Sequence, residues 1–135
     1  MRWLVACLLL LLSPSAAFAQ SSLAGNWFGY GQPNDKSAMY LDRMMPDGTF
    51  RVHHRTCIKG KSFDQHAAGR WAKTADGFTI NIETVNGVPD PRTDVYRLIS
   101  MDTKKQRYVY LPTNFTYEAQ RVPGSFQMPP CDLIS

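Results

Sequence analysis

The six residues Phe78-Thr79-Ile80-Asn81-Ile82-Glu83 alternate apolar and polar three times over, directly after the turn residues Ala75-Asp76-Gly77. Only a β-strand with one buried and one wetted face puts every second side chain on the same side. Phe78, Ile80 and Ile82 are therefore read as core, and Thr79, Asn81 and Glu83 as solvent-facing. No apolar stripe of 3.6-residue period and useful length occurs beyond the first nineteen residues. Nine glycines and nine prolines in 135 residues suit short strands and tight turns better than helices.

The same pattern recurs along the chain. Residues 23–30 read as a first strand, with Gly29 and Gly31 allowing a bend before Gln32-Pro33-Asn34-Asp35. A second strand over 37–45 puts Met39, Leu41, Arg43 and Met45 on one face and Tyr40, Asp42 and Met44 on the other. The alternation leaves open which face is inside. Pro46-Asp47-Gly48 is a turn. The next strand, 49–58, turns Phe50, Val52, His54 and Thr56 inward and Thr49, Arg51, His53 and Arg55 outward. Residues 59–69 read as a polar connection holding at most a short irregular strand near 63–68. Asn86-Gly87 begins a turn that Pro89-Asp90-Pro91 is expected to lengthen into a loop over one barrel mouth.

Three further strands follow. Tyr96, Leu98 and Ser100 alternate with Val95, Arg97 and Ile99; Tyr108 and Tyr110 share a face; and Phe115, Tyr117, Ala119 and Arg121 alternate with Thr116, Glu118, Gln120 and Val122. About eight strands joined by short turns predict an all-β fold, an antiparallel up-and-down barrel, with a two-sheet β-sandwich as the alternative. Closure removes the edges that a small open sheet would expose.

Arg2, the apolar run 4–12 and Ala17-Phe18-Ala19 have the form of an export signal over residues 1–19. The run is shorter than the ~20 residues of a membrane span, so no anchor is expected after cleavage. Residues 20–122 would then form the barrel and 123–135 a tail, in the periplasm or outside the cell. Cys7 leaves with the signal. Cys57 and Cys131 remain, and an exported chain with two cysteines most simply joins them in a disulfide that ties the tail back; two free thiols are the alternative. Removing Arg2 from the fifteen basic residues leaves fourteen against eleven acidic ones, a net charge of +3. That is too little to argue for nucleic acid, and Lys59-Gly60-Lys61 and Lys104-Lys105 read as solvated turns.

His53 and His54 point to opposite faces of a strand, and His66 is the only other histidine. Neither a metal site nor a cofactor is expected. Glu83 and Glu118 are isolated and solvent-facing, and no Ser-His-Asp spacing is present, so no catalytic residues are expected and the chain does not read as an enzyme. Asn114-Phe115-Thr116 matches a glycosylation acceptor, which matters only in a eukaryotic host.

Gly25-Asn26-Trp27 on the first strand and Arg121 on the last resemble the lipocalin-like, or calycin, barrels. Gly69-Arg70-Trp71 with Asp76-Gly77-Phe78-Thr79-Ile80 is similar to the middle hairpin of their short bacterial exported members. The likeness spans residues 23–122. It implies that Gly25, Trp27 and Arg121 are structural, with the guanidinium stacked on the indole where the last strand meets the first. It also implies a binding protein for a small apolar or amphipathic ligand, with Tyr40, Phe50, His54, Ile80, Tyr96, Phe115 and Tyr117 as lining candidates. The alternative is a solid barrel that binds a protein, such as an inhibitor of an envelope protease or lysozyme, through the tail 123–131 or the loop 86–93.

Overall fold

The computed structural model describes residues 23–32 and 35–133. The export-signal assignment over residues 1–19 lies outside them, as do Pro33 and Asn34. Eight strands run in order: β1 (Gly25–Gln32), β2 (Asp35–Met44), β3 (Thr49–Ile58), β4 (Lys61–Lys73), β5 (Gly77–Val85), β6 (Val88–Met101), β7 (Lys105–Tyr110) and β8 (Phe115–Val122). Each pairs antiparallel with the next, and β8 returns to β1, giving a closed barrel rather than a sandwich. The architecture is consistent with a calycin-like barrel.

Turn chemistry sets the hairpins. Asn86 and Gly87 both take positive φ, 50° and 77°, and join Val85 directly to Val88. Two such residues match the right-handed twist of the flanking strands, which is why this connection is a two-residue hairpin. Lys59 and Gly60 do the same between β3 and β4.

Two expected loops are strands. The connection 59–69 is largely the upper part of β4, which pairs with β3 from Ile58↔Lys61 to Thr49↔Arg70. Residues Lys61 to His66 are exposed on both faces, so the ladder, not apolar burial, keeps them extended. Likewise Pro89-Asp90-Pro91 lies in β6 and does not form a loop over the mouth. β7 reaches only as far as Tyr96, so residues above it have a free side where a proline costs no ladder bond.

Inside, Trp27, Met44, Phe50, Trp71, Phe78 and Ala119 pack with Leu23 at one end. Trp27 is fully buried, and its indole N–H donates to the Leu23 carbonyl at 3.0 Å. The Arg121 guanidinium stacks 4.2 Å from the indole centre and donates to the carbonyls of Ala24 (2.9 Å) and Thr103 (3.0 Å). Gly25, at φ +144°, has no room for a Cβ, which would strike Arg121. This end of the barrel is closed.

The inner face of β2 carries Tyr40 and Met44, with Asp42 between them. Met39 and Leu41 point outward, yet are only 2% and 5% exposed. The tail covers them. Phe126 packs 5.0 Å from Phe28, Met128 is buried beside Met39 and Leu41, and the Arg55 guanidinium donates to the Pro129 carbonyl at 3.1 Å. The Cys57 and Cys131 sulfurs stand 2.10 Å apart, at disulfide distance, so the tail is tied back to β3.

Candidate functional site

Opposite the closed floor the barrel holds a cavity of about 310 Å³ that opens at the other end. Of the predicted lining residues, Tyr40, Phe50, His54, Ile80, Tyr96 and Tyr117 border it. Phe115 does not. It has the same parity as Tyr117, but as the first residue of β8 it stands at the rim, 48% exposed.

The alternation of each strand delivers these side chains. Tyr40 and Asp42 come from β2, His54 from β3, Ile80 from β5, Tyr96 from β6, Tyr108 and Tyr110 from β7 and Tyr117 from β8. Tyrosines from four strands thus converge. The Tyr96 ring lies 5.4 Å edge-on from Tyr108, which stacks on Tyr117 at 5.8 Å. The Tyr108 hydroxyl donates to the Tyr40 hydroxyl at 2.6 Å. Burial first, and neighbouring negative charge second, hold Tyr40, Tyr96 and Tyr108 above the ordinary phenol range, so all stay neutral at physiological pH. Tyr40 reaches its position because Gly29 lies opposite. A Cβ there would sit 2.5 Å from the Tyr40 oxygen and 2.8 Å from the Glu118 carbonyl.

Asp42, Asp94, Arg92, Tyr108 and Tyr110 also line the cavity and were not among the predicted residues. Asp42 could have been found once Tyr40 was taken as inward, because the two share a face. Its backbone is level with Trp27 on β1 and Val52 on β3, at the deep end of the cavity. Desolvation pushes its carboxyl up to about 7. Asp94 accepts a hydrogen bond from the Tyr110 hydroxyl at 2.9 Å.

His54 faces inward but sits near the mouth, where its edge is wetted. Among the described residues it has no hydrogen bond, and its ring centre lies 6.5 Å from that of Tyr40. The enclosing wall, and then the Arg92 charge, lower its pKa, favouring the neutral ring. On the outer wall His53 stacks on His66 at 4.2 Å and approaches Asp64 at 3.5 Å. Among the described residues no three or more His, Cys, Asp or Glu side chains are grouped to hold a metal ion. Glu118 faces out towards Lys105 (3.5 Å) and Arg107 (3.8 Å).

The site is thus a cup with an aromatic wall, hydroxyls that donate and accept, and two carboxyls. Comparisons with models of known protein families, with curated proteins and with solved structures find no match to this chain.

Proposed function

We propose that the protein is an exported container of the lipocalin-like type, holding one small amphipathic molecule inside its barrel. The observation that carries this is the cavity of about 310 Å³ inside the barrel, open at one end, with Trp27 fully buried in the closed end opposite. Its size is at the lower end of the ~300–1,000 Å³ of small-molecule sites, and its mixture of aromatic faces with a few polar groups is what such sites use. The Cys57–Cys131 pair fits an oxidising compartment, in keeping with export to the periplasm or beyond. A solid barrel that acts through its tail has less support, since Phe126 and Met128 are taken up by the barrel's own wall.

The test is a titration with small aromatic amphiphiles, among them 1-naphthalenemethanol, followed by calorimetry and Trp fluorescence. A saturable one-to-one signal is expected. It should disappear in Ala67→Leu, which fills the cavity from β4 while leaving the outer surface unchanged. A flat response across the panel, or full binding by the filled variant, would count against a container.

A further inference from the structure

The cavity wall contains one group that a merely packed interior would not. Asp42 is enclosed by protein except where it faces the cavity. Among the described residues its carboxyl has no hydrogen bond, ion pair or cationic neighbour. Withdrawing a carboxylate from water without a partner is costly, and a leucine or methionine in that position would pack without the cost. Its carboxyl borders the open cavity.

Other charges at the cavity have partners or stand far up the wall. Asp94 accepts from Tyr110, and Arg55 is held outside by Asp64 at 2.9 and 3.2 Å. Arg92 is exposed at the mouth, and His54 beside it favours the neutral form. Four charged side chains line the cavity, Asp42, Asp94, Arg55 and Arg92, and with Arg55 offset by Asp64 two carboxyls face one guanidinium. Around its deep end Tyr40, Tyr96, Tyr108 and Tyr117 present aromatic faces or edges, and the negative face of an aromatic ring attracts cations.

We propose that the cavity selects a small amphipathic organic cation, its protonated nitrogen paired with Asp42 and its apolar part held among Tyr40, Tyr96, Tyr108 and Tyr117. The inference rests on the container reading above and adds the charge of the ligand. A carboxylate of similar shape is rejected, because it would meet Asp42 as a like charge in a site with little water.

The test compares three probes of one shape by calorimetry at pH 8: 1-naphthylmethylammonium, 1-naphthalenemethanol and 1-naphthoate. The cation should bind at least about tenfold tighter than the alcohol, the increment of ~1.4 kcal/mol that one close charge pair readily supplies. Naphthoate should bind weakest. Asp42→Asn should bring cation and alcohol to within about twofold, and an unchanged far-ultraviolet circular dichroism spectrum with a cooperative urea transition shows that the variant is folded.

The pH dependence gives a second readout. Only the Asp42 carboxylate pairs with the cation, so affinity for the ammonium should fall about tenfold from pH 8 to pH 6, while affinity for the alcohol stays level. Of the groups facing Asp42, the tyrosines do not titrate in this range, and Asp42→Asn removes the Asp42 component from any contribution of His54, Asp94 or Arg92. Equal binding of cation and alcohol by the wild type, or a cation preference that survives Asp42→Asn, overturns the proposal but leaves the container. Silence of all three probes overturns both.

Discussion

Trp27 and Arg121 lie directly opposite each other in the β1–β8 ladder, and the guanidinium carbon sits 4.2 Å from the centre of the indole. The contact therefore spans the seam where the barrel closes. Two backbone carbonyls, of Ala24 and Thr103, take further donors of the same guanidinium, so one side chain links β8 to the chain before β1 and to the turn before β7.

Trp27→Ala removes the largest fully buried side chain and is expected to lower stability by ~3–5 kcal/mol. Arg121→Lys keeps the charge but loses the planar fork, and should cost ~1–3 kcal/mol. Urea denaturation of both variants checks the order. A Trp27→Ala protein as stable as wild type would remove the indole from its structural role.

Asp42 makes stability depend on pH with a definite sign. Its folded-state pKa is raised from the ordinary 3.8 to about 7, so ionisation opposes folding. The empty protein should be unaffected below about pH 4, lose stability as pH rises through 7, and level off above. At about 1.4 kcal/mol for each tenfold change in acidity, Asp42→Asn should be more stable than wild type by up to ~4 kcal/mol at pH 8. At pH 4 the two should coincide. Urea midpoints at the two pH values decide it, and a gain that is the same at both would refute the assignment.

Gln106 is 1% exposed on the inner face of β7, and among the described residues neither its amide oxygen nor its nitrogen has a partner. An unpaired buried amide costs ~1–3 kcal/mol, so Gln106→Met, which keeps the shape without the polar atoms, should stabilise the barrel by a comparable amount. Thermal unfolding at a fixed pH measures it; a loss of stability would mean that the amide is satisfied in solution.

The loop closed by Cys57 and Cys131 spans 74 residues, for which chain-entropy reasoning gives a contribution of ~4 kcal/mol. Cys131→Ser should lose about that much and should also loosen Phe126 and Met128 from the outer wall. Adding reductant should then lower the melting temperature of the wild type and leave that of the variant unchanged.

What the sequence revealed followed from where water lies. β5 was legible because its two faces differ, Phe78, Ile80 and Ile82 against Asn81 and Glu83. The inner face of β2 was not, since Met39 and Leu41 are buried outside by the tail as deeply as Tyr40 and Met44 are inside. Residues 61–66 failed for the opposite reason, being wet on both sides. The register shift between Leu98 and Ser100 brings Met101 into the core cluster, a change of parity that alternation cannot foresee. At the site, Tyr96 and Tyr117 were readable as inward, whereas Tyr108 and Tyr110 were read only as sharing a face, and the depth of Asp42 depends on its level with Trp27 across the ladder.

The tail leaves β8 at the closed end, passes over the outer side of β1 and β2, and ends fastened to β3 near the open end. It works as a sash drawn diagonally across the closing seam. It adds a covalent tie from β8 to β3 beside a β1–β8 ladder that pairs only from Asn26↔Val122 to Gly29↔Ala119. To separate β1 from β8 at the closed end, the protein would also have to strip the tail from Phe28, Met39 and Leu41.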